Sequence, residues 1–68
     1  MGASVHIKAA MVYKGITQSA FAESLGRNPQ TFYNMLTRDA MRFSEAETIA
    51  DALGCDIVFK DRQTGQLY

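Results

Sequence analysis

Apolar residues recur every three or four positions through most of the chain, and this spacing predicts helices rather than strands. Four such segments are present, each with its own start or stop signal. The first covers about 4–14, with Ser4 as its predicted cap. The second covers about 18–25, and Thr17 is its predicted cap.

The third predicted helix covers about 29–37. Asn28 is suited to cap it, and Pro29 suits its first turn, where no backbone donor is needed. Its buried stripe follows the spacing i, i+3, i+4 and consists of Phe32, Met35 and Leu36.

The fourth predicted helix runs from Ser44 to about Leu53. Ser44 and Glu47 have the spacing of a capping box. Gly54 follows the helix as its predicted stop.

After Gly54 the apolar period changes from about 3.6 to 2. Alternation over 55–60 predicts one strand, and 66–68 is its predicted partner. The intervening segment, 61–65, reads as a turn that ends in a left-handed Gly65. Because a lone two-stranded hairpin is marginal in water, we expect it to pack on the helices or to pair with another chain.

The second and third predicted helices have the layout of a helix-turn-helix. Gly26 lies where the chain must reverse and where a positive φ is cheapest. Ala22, four residues earlier, is small enough for two helices to cross closely. Such a unit places its second helix in the major groove of DNA.

Length and composition fit one small domain over 1–68, with a helical bundle over 4–54 and an extension over 55–68. A chain of this size buries only about 60 % of its unfolded surface and gains from a partner. No apolar run approaches the roughly 20 residues that span a bilayer, and the start is not a signal peptide. With a single cysteine as well, the expected location is the cytoplasm, away from membranes.

The net charge of zero conceals a polarised chain. Residues 1–44 hold five basic and two acidic side chains, a net charge of +3, whereas 45–68 hold two basic and five acidic ones, a net charge of −3. The basic part coincides with the helix-turn-helix. This distribution favours one face for phosphates and another for a different partner.

The third predicted helix leaves a polar side, and 28–37 contain no Glu, Lys or Arg, the residues usual on a solvated helix. Side-chain amides bind adenine edges, and a Thr methyl contacts a thymine methyl, so the predicted base-contacting residues are Gln30, Thr31, Tyr33 and Asn34. Helix N-termini and basic side chains attract phosphates, so the predicted phosphate-contacting residues are Gln18, Arg27, Asn28, Arg38 and Arg42. For Arg42, an ion pair with Glu45 or Asp39 is the alternative.

Motifs for catalysis are missing from the sequence. It has no Ser/His/Asp or Cys/His arrangement, no paired carboxylates and no glycine-rich phosphate loop, so we expect no enzyme activity. His6 has no Cys, Asp or Glu at metal spacing, so neither a metal nor a cofactor is expected.

Several positions together resemble the Cro and phage-repressor type of helix-turn-helix regulator. They are Thr17-Gln18, Ala22, Gly26, Phe32, Met35 and the segment IADALGCD at 49–56. The resemblance covers 5 to about 54, and the ending is similar to small bacterial or phage members with a C-terminal β-hairpin. It implies a mainly α, lambda-repressor-like bundle of four or five helices. It also implies binding of operator DNA as a homodimer and regulation of transcription, most often repression.

One position departs from the family pattern. Pro29 stands where the family often places a polar residue that contacts a base, and proline cannot donate a hydrogen bond. Gln30 is the residue that would take over this contact.

Two functions remain open from sequence. The first is sequence-specific binding of double-stranded DNA by a homodimer, with residues 55–68 as the predicted dimer contact. The second is an antitoxin-like or adaptor module, in which the acidic C-terminal half holds a protein partner.

Overall fold

The computed structural model describes residues 2–68. Within them the chain forms four α-helices: α1 over Ala3–Lys14, α2 over Gln18–Ser24, α3 over Pro29–Arg38 and α4 over Phe43–Ala52. Helix α2 packs against α3, and α1 packs against α4. None of these helices is both long and apolar enough to cross a membrane. The predicted mainly helical fold is confirmed.

Side-chain caps fix the starts of the two central helices. Thr17 Oγ1 accepts a hydrogen bond from the Ala20 backbone N–H at 3.2 Å. Asn28 Oδ1 accepts from the backbone N–H groups of Gln30 and Thr31, at 2.9 and 3.1 Å. Both predicted caps are confirmed, because each satisfies amides that have no partner within the helix.

All four helices contribute to one apolar core. Its largest fully buried side chains are Phe32, Met11, Leu36 and Ile49. The Phe21 and Phe32 rings meet edge to face, with centroids 5.8 Å apart. The core therefore seals one side of α3 and leaves its other side to solvent.

The start of α1 differs from the prediction. Ser4 is not the cap: it lies inside the helix and is buried, and Gly2 is the N-cap residue. The free N–H of Ser4 donates instead to Asp39 Oδ1 at 3.1 Å. A Cβ on residue 2 would overlap the Asp39 carboxylate, so a larger residue there would displace this carboxylate from the Ser4 N–H. A carboxylate from beyond α3 thus replaces the predicted local cap.

The start of α4 also differs. The predicted capping box of Ser44 and Glu47 is wrong, because the helix begins at Phe43 and Arg42 is its N-cap residue. Glu45, in the first turn, accepts a hydrogen bond from the Arg42 backbone N–H at 3.3 Å. This is half of a capping box, two residues earlier than predicted.

Residues 55–68 reverse direction where the sequence predicts a turn. Asp61 Oδ1 accepts from two backbone N–H groups of this turn, at 2.9 and 3.0 Å, and Gly65 has a φ of 77°. The backbone then pairs at one antiparallel bridge, between Lys60 and Leu67. Within the described chain neither predicted strand forms, since an exposed two-stranded ribbon with no further sheet partner is marginal.

Candidate nucleic-acid interface

Helices α2 and α3 are joined by a tight reversal at Gly26. Its φ of 70° lies in the left-handed region, which only glycine adopts without strain. The Gly26 N–H donates to the Glu23 carbonyl at 3.0 Å, and the Arg27 N–H donates to the Ala22 carbonyl at 2.9 Å. These two bonds close α2 as a Schellman motif. Ala22 is fully buried, as the predicted close crossing of α2 and α3 requires.

The buried side of α3 sets which of its residues face outward. Phe32 and Leu36 are buried in the core, and Met35 packs partly against it. Gln30, Thr31 and Asn34 are exposed away from that stripe. The structure thus leaves all four predicted base-contacting residues exposed, with Gln30 and Asn34 at the centre of the open side and Thr31 and Tyr33 at its flanks.

Gln30 and Asn34 are linked on this open side. They lie one turn apart, and Gln30 Nε2 donates to Asn34 Oδ1 at 3.2 Å. The bond holds two primary amides side by side, each with further donors and acceptors unused by the other. Such amides are the groups that pair with the N6 and N7 atoms of adenine.

Tyr33 and Thr31 flank the row of Gln30 and Asn34. Thr31 directly precedes Phe32 and Tyr33 directly follows it, so the two lie on opposite flanks of the open side, and 51 % of the Tyr33 surface is exposed. Thr37, which sequence reasoning missed, is exposed seven residues after Gln30 and shares its side of α3. Its i, i+7 spacing from Gln30 is the sequence pattern that indicates Thr37.

The helix N-termini carry two predicted phosphate-contacting residues. Gln18 opens α2 and is half-buried, and Asn28 precedes α3 and is exposed. The Asn28 side-chain oxygen is used by the cap, which leaves its NH₂ group to point outward. Both positions are therefore compatible with an anion at the positive end of a helix dipole.

The three arginines of the predicted set fall into two groups. Arg38, the last residue of α3, and Arg42 are exposed, and neither side chain forms an ion pair within residues 2–68. Arg27 instead is half-buried, with its Nη1 3.5 Å from Glu45 Oε2. The alternative ion pair of Arg42 with Glu45 or Asp39 is not formed in that part of the chain; Arg27 holds Glu45.

A second surface lies between α1, α4 and the C-terminal segment. A shallow groove of about 560 Å³ opens there. Its lining is mostly apolar and includes Ala10, Ala46, Ala50, Phe43, Ile57 and Val58. Phe59 extends this apolar surface, with its ring centroid 6.5 Å from that of Phe43. Among the described residues, no three His, Cys, Asp or Glu side chains are grouped so as to hold a metal ion.

Comparison with known proteins identifies the helical part of the chain. The family model of the Cro/C1-type HTH DNA-binding domain matches residues 6–58. No curated protein and no solved structure matches significantly. The family match spans all of α2 and α3 with the open side described above, and it covers most of the chain. The protein therefore belongs to the Cro/C1-type HTH DNA-binding family, and in broad terms it is a DNA-binding regulator of transcription.

Proposed function

We propose that this protein is a repressor that binds operator DNA as a homodimer and reads the major groove with α3. The observation that carries the proposal is the exposed amide pair of Gln30 and Asn34, opposite the buried stripe of α3. We place this regulator in the cytoplasm. It acts by binding, as DNA-binding families of this type typically do, and no catalytic role is proposed.

Base readout is assigned to the open side of α3. Gln30 and Asn34 pair with adenine, Thr31 contacts a thymine methyl, and Tyr33 reaches sugar or phosphate from the flank. Each good bidentate contact contributes about 1–3 kcal/mol of discrimination. Because Pro29 has no N–H to donate, the first base contact of the helix falls to Gln30.

Backbone contacts surround this side. Gln18 and Asn28 approach phosphates at the N-termini of α2 and α3, and Arg38 and Arg42 approach them beyond the end of α3. Arg27, in the turn before α3, is assigned a further phosphate contact. These contacts fix the register of the helix on DNA and carry no sequence information themselves.

The test is selection of binding sites from random duplexes, followed by variants measured on the selected site. Gln30→Ala with Asn34→Ala should abolish preference for that site while weak binding to other duplexes persists. Thr48→Ala removes an exposed polar side chain from α4, outside the proposed DNA and dimer contacts, and serves as the control, with no expected effect. Specific binding that survives the double substitution would exclude α3 as the reader.

The homodimer is proposed to form through residues 55–68. Val58, Leu67 and Tyr68 are exposed there, and the backbone pairs at one bridge only. A two-fold contact would place the two α3 helices about 34 Å apart, one turn of DNA. Sedimentation of a chain ending at Asp56 should give a monomer mass. This end point retains the Cys55 N–H, which donates to the Ala50 carbonyl at the end of α4. An unchanged dimer mass would place the contact elsewhere.

The antitoxin-like or adaptor function is the second candidate. The groove beside α4 supports it, since its apolar lining meets acidic side chains at Glu47, Asp51 and Asp56. If selection from random duplexes enriches no sequence, this function is favoured instead.

A further inference from the structure

Arg27 connects the turn of the helix-turn-helix to α4. Its backbone is fixed by the N–H bond to the Ala22 carbonyl at 2.9 Å. Its guanidinium crosses to the first turn of α4, where Nη1 lies 3.5 Å from Glu45 Oε2. The same nitrogen lies 3.6 Å from Met35 Sδ. The side chain thus runs along one flank of α3 to reach its carboxylate.

The position of residue 27 in the fold does not require a charged side chain. The residue after the glycine of a Schellman motif commonly makes an apolar contact back to its helix. In Arg27 it is the charged Nη1 that approaches Met35, 3.6 Å from Sδ, and a thioether sulfur is only a weak acceptor. The guanidinium therefore has two weak partners within residues 2–68, this thioether and one Glu45 carboxylate oxygen at 3.5 Å.

The ion pair is also weak by its geometry. One nitrogen faces one oxygen at 3.5 Å, without the bidentate arrangement that strengthens such pairs. The side chains of Arg27 and Glu45 are 33 % and 35 % exposed, so water screens their attraction. A backbone phosphate, which a guanidinium binds in bidentate fashion, can replace this carboxylate.

The ion pair of Arg27 and Glu45 lies beside the N-terminal end of α3, where Gln30 makes the first proposed base contact. Arg27 directly precedes Asn28, the N-cap of α3. We propose that Glu45 lowers the affinity for DNA by holding Arg27 in the unbound protein, and that Arg27 exchanges this carboxylate for a phosphate on binding. Glu45 is then an affinity-setting residue that itself touches no DNA. The proposal deepens the proposed function, but it requires only that duplex DNA is the ligand.

The experiment is a double-mutant cycle of Glu45→Gln and Arg27→Gln, with affinity for a short duplex of random sequence measured over a range of salt concentrations. Glutamine at position 45 retains an oxygen for the Arg42 N–H, so the start of α4 is preserved. The matched control is Glu47→Gln, which removes the same charge from an exposed α4 residue that forms no ion pair within residues 2–68. Thermal unfolding of each variant verifies the fold.

Glu45→Gln should tighten binding about two- to fivefold, the value of an exposed ion pair that no longer has to be broken. The gain should vanish in the Arg27→Gln background and be absent in Glu47→Gln. Arg27→Gln should weaken binding and reduce the slope of log affinity against log salt by about 0.9 for the lost phosphate contact.

Three results would overturn the proposal. An equal gain in both backgrounds, or in Glu47→Gln, would mean that only general repulsion of DNA was removed. Weaker or unchanged binding by Glu45→Gln would mean that the ion pair serves only the structure and does not lower the affinity for DNA. An unchanged salt slope in Arg27→Gln would remove the phosphate contact. The duplex has random sequence, so this experiment does not depend on sequence-specific readout. If site selection enriches no sequence but the double-mutant cycle gives the expected result, sequence-specific readout is contradicted and the exchange of Glu45 for a phosphate is supported.

Discussion

Replacing Phe32 with Ala tests the orientation of α3, on which the assignment of its open side depends. Phe32 is 0 % exposed and meets Phe21 edge to face at 5.8 Å. Truncation of a buried Phe to Ala costs about 3–5 kcal/mol. A chain of 68 residues has a total stability of roughly 3–10 kcal/mol at typical values per residue. The substitution should therefore remove between a third and all of the free energy of unfolding.

The assay is urea unfolding followed by circular dichroism. Phe32→Leu, which keeps much of the apolar volume, should lie between wild type and Phe32→Ala, so a graded value is obtained even if the Ala variant is unfolded. Tyr33→Ala is the matched control. Its side chain is 51 % exposed, so the loss should be about 1 kcal/mol or less.

The reverse ranking would refute the reasoning. If Tyr33→Ala lost more stability than Phe32→Ala, α3 would be rotated by about 100°, the angle between successive residues of a helix. The row of Gln30 and Asn34 would then no longer lie opposite the core. The proposed contacts of Gln30 and Asn34 with DNA bases would then be wrong as well.

Three further outcomes are expected. Asn28→Ala should reduce stability by about 0.5–2 kcal/mol, because two amides of α3 lose their acceptor. Asn28→Asp should retain stability and weaken DNA binding. Thermal unfolding and duplex titration separate the two effects, and unchanged binding by Asn28→Asp would place residue 28 away from phosphate. Ala22→Leu should reduce stability by about 1–3 kcal/mol through overpacking of a fully buried position, seen as a lower urea midpoint; an unchanged midpoint would indicate a loose crossing of α2 and α3. The backbone N–H of Ser4 holds the pKa of Asp39 below its usual value, so this bond stabilises the fold at neutral pH. That stability should begin to fall near the unfolded-state pKa of about 3.9 and be lost once the pH drops below the lowered folded-state pKa. Asp39→Asn should flatten this part of the acid-unfolding curve, and an unaltered curve would contradict the assignment.

The elements that sequence predicted well are those governed by neighbours along the chain. The caps at Thr17 and Asn28 act on amides two or three residues away, and both are present as expected. The buried pair of Phe32 and Leu36 follows from helical periodicity alone. The open side of α3, and with it most of the candidate base contacts, follows from the same pattern.

The errors arose where contacts connect distant residues. Ser4 is a good capping residue by type, but Asp39, 35 residues away, supplies the acceptor and α1 begins earlier. Arg27 is separated by 18 residues from Glu45, so nothing local indicates their pairing. Residues 55–60 alternate as a strand does, but a strand also requires a partner edge, and the described chain offers only one bridge.

The exposed run Ile57, Val58 and Phe59 has a consequence for handling the protein. Three consecutive apolar side chains with largely unpaired backbone form a template onto which further chains can add as strands. Asp56 before the run, and Lys60 after it, act as charged gatekeepers that oppose such growth. High salt weakens that opposition by screening, so concentrated, salt-rich preparations should be the first to become turbid, and neutralising either flank should bring turbidity to lower concentrations.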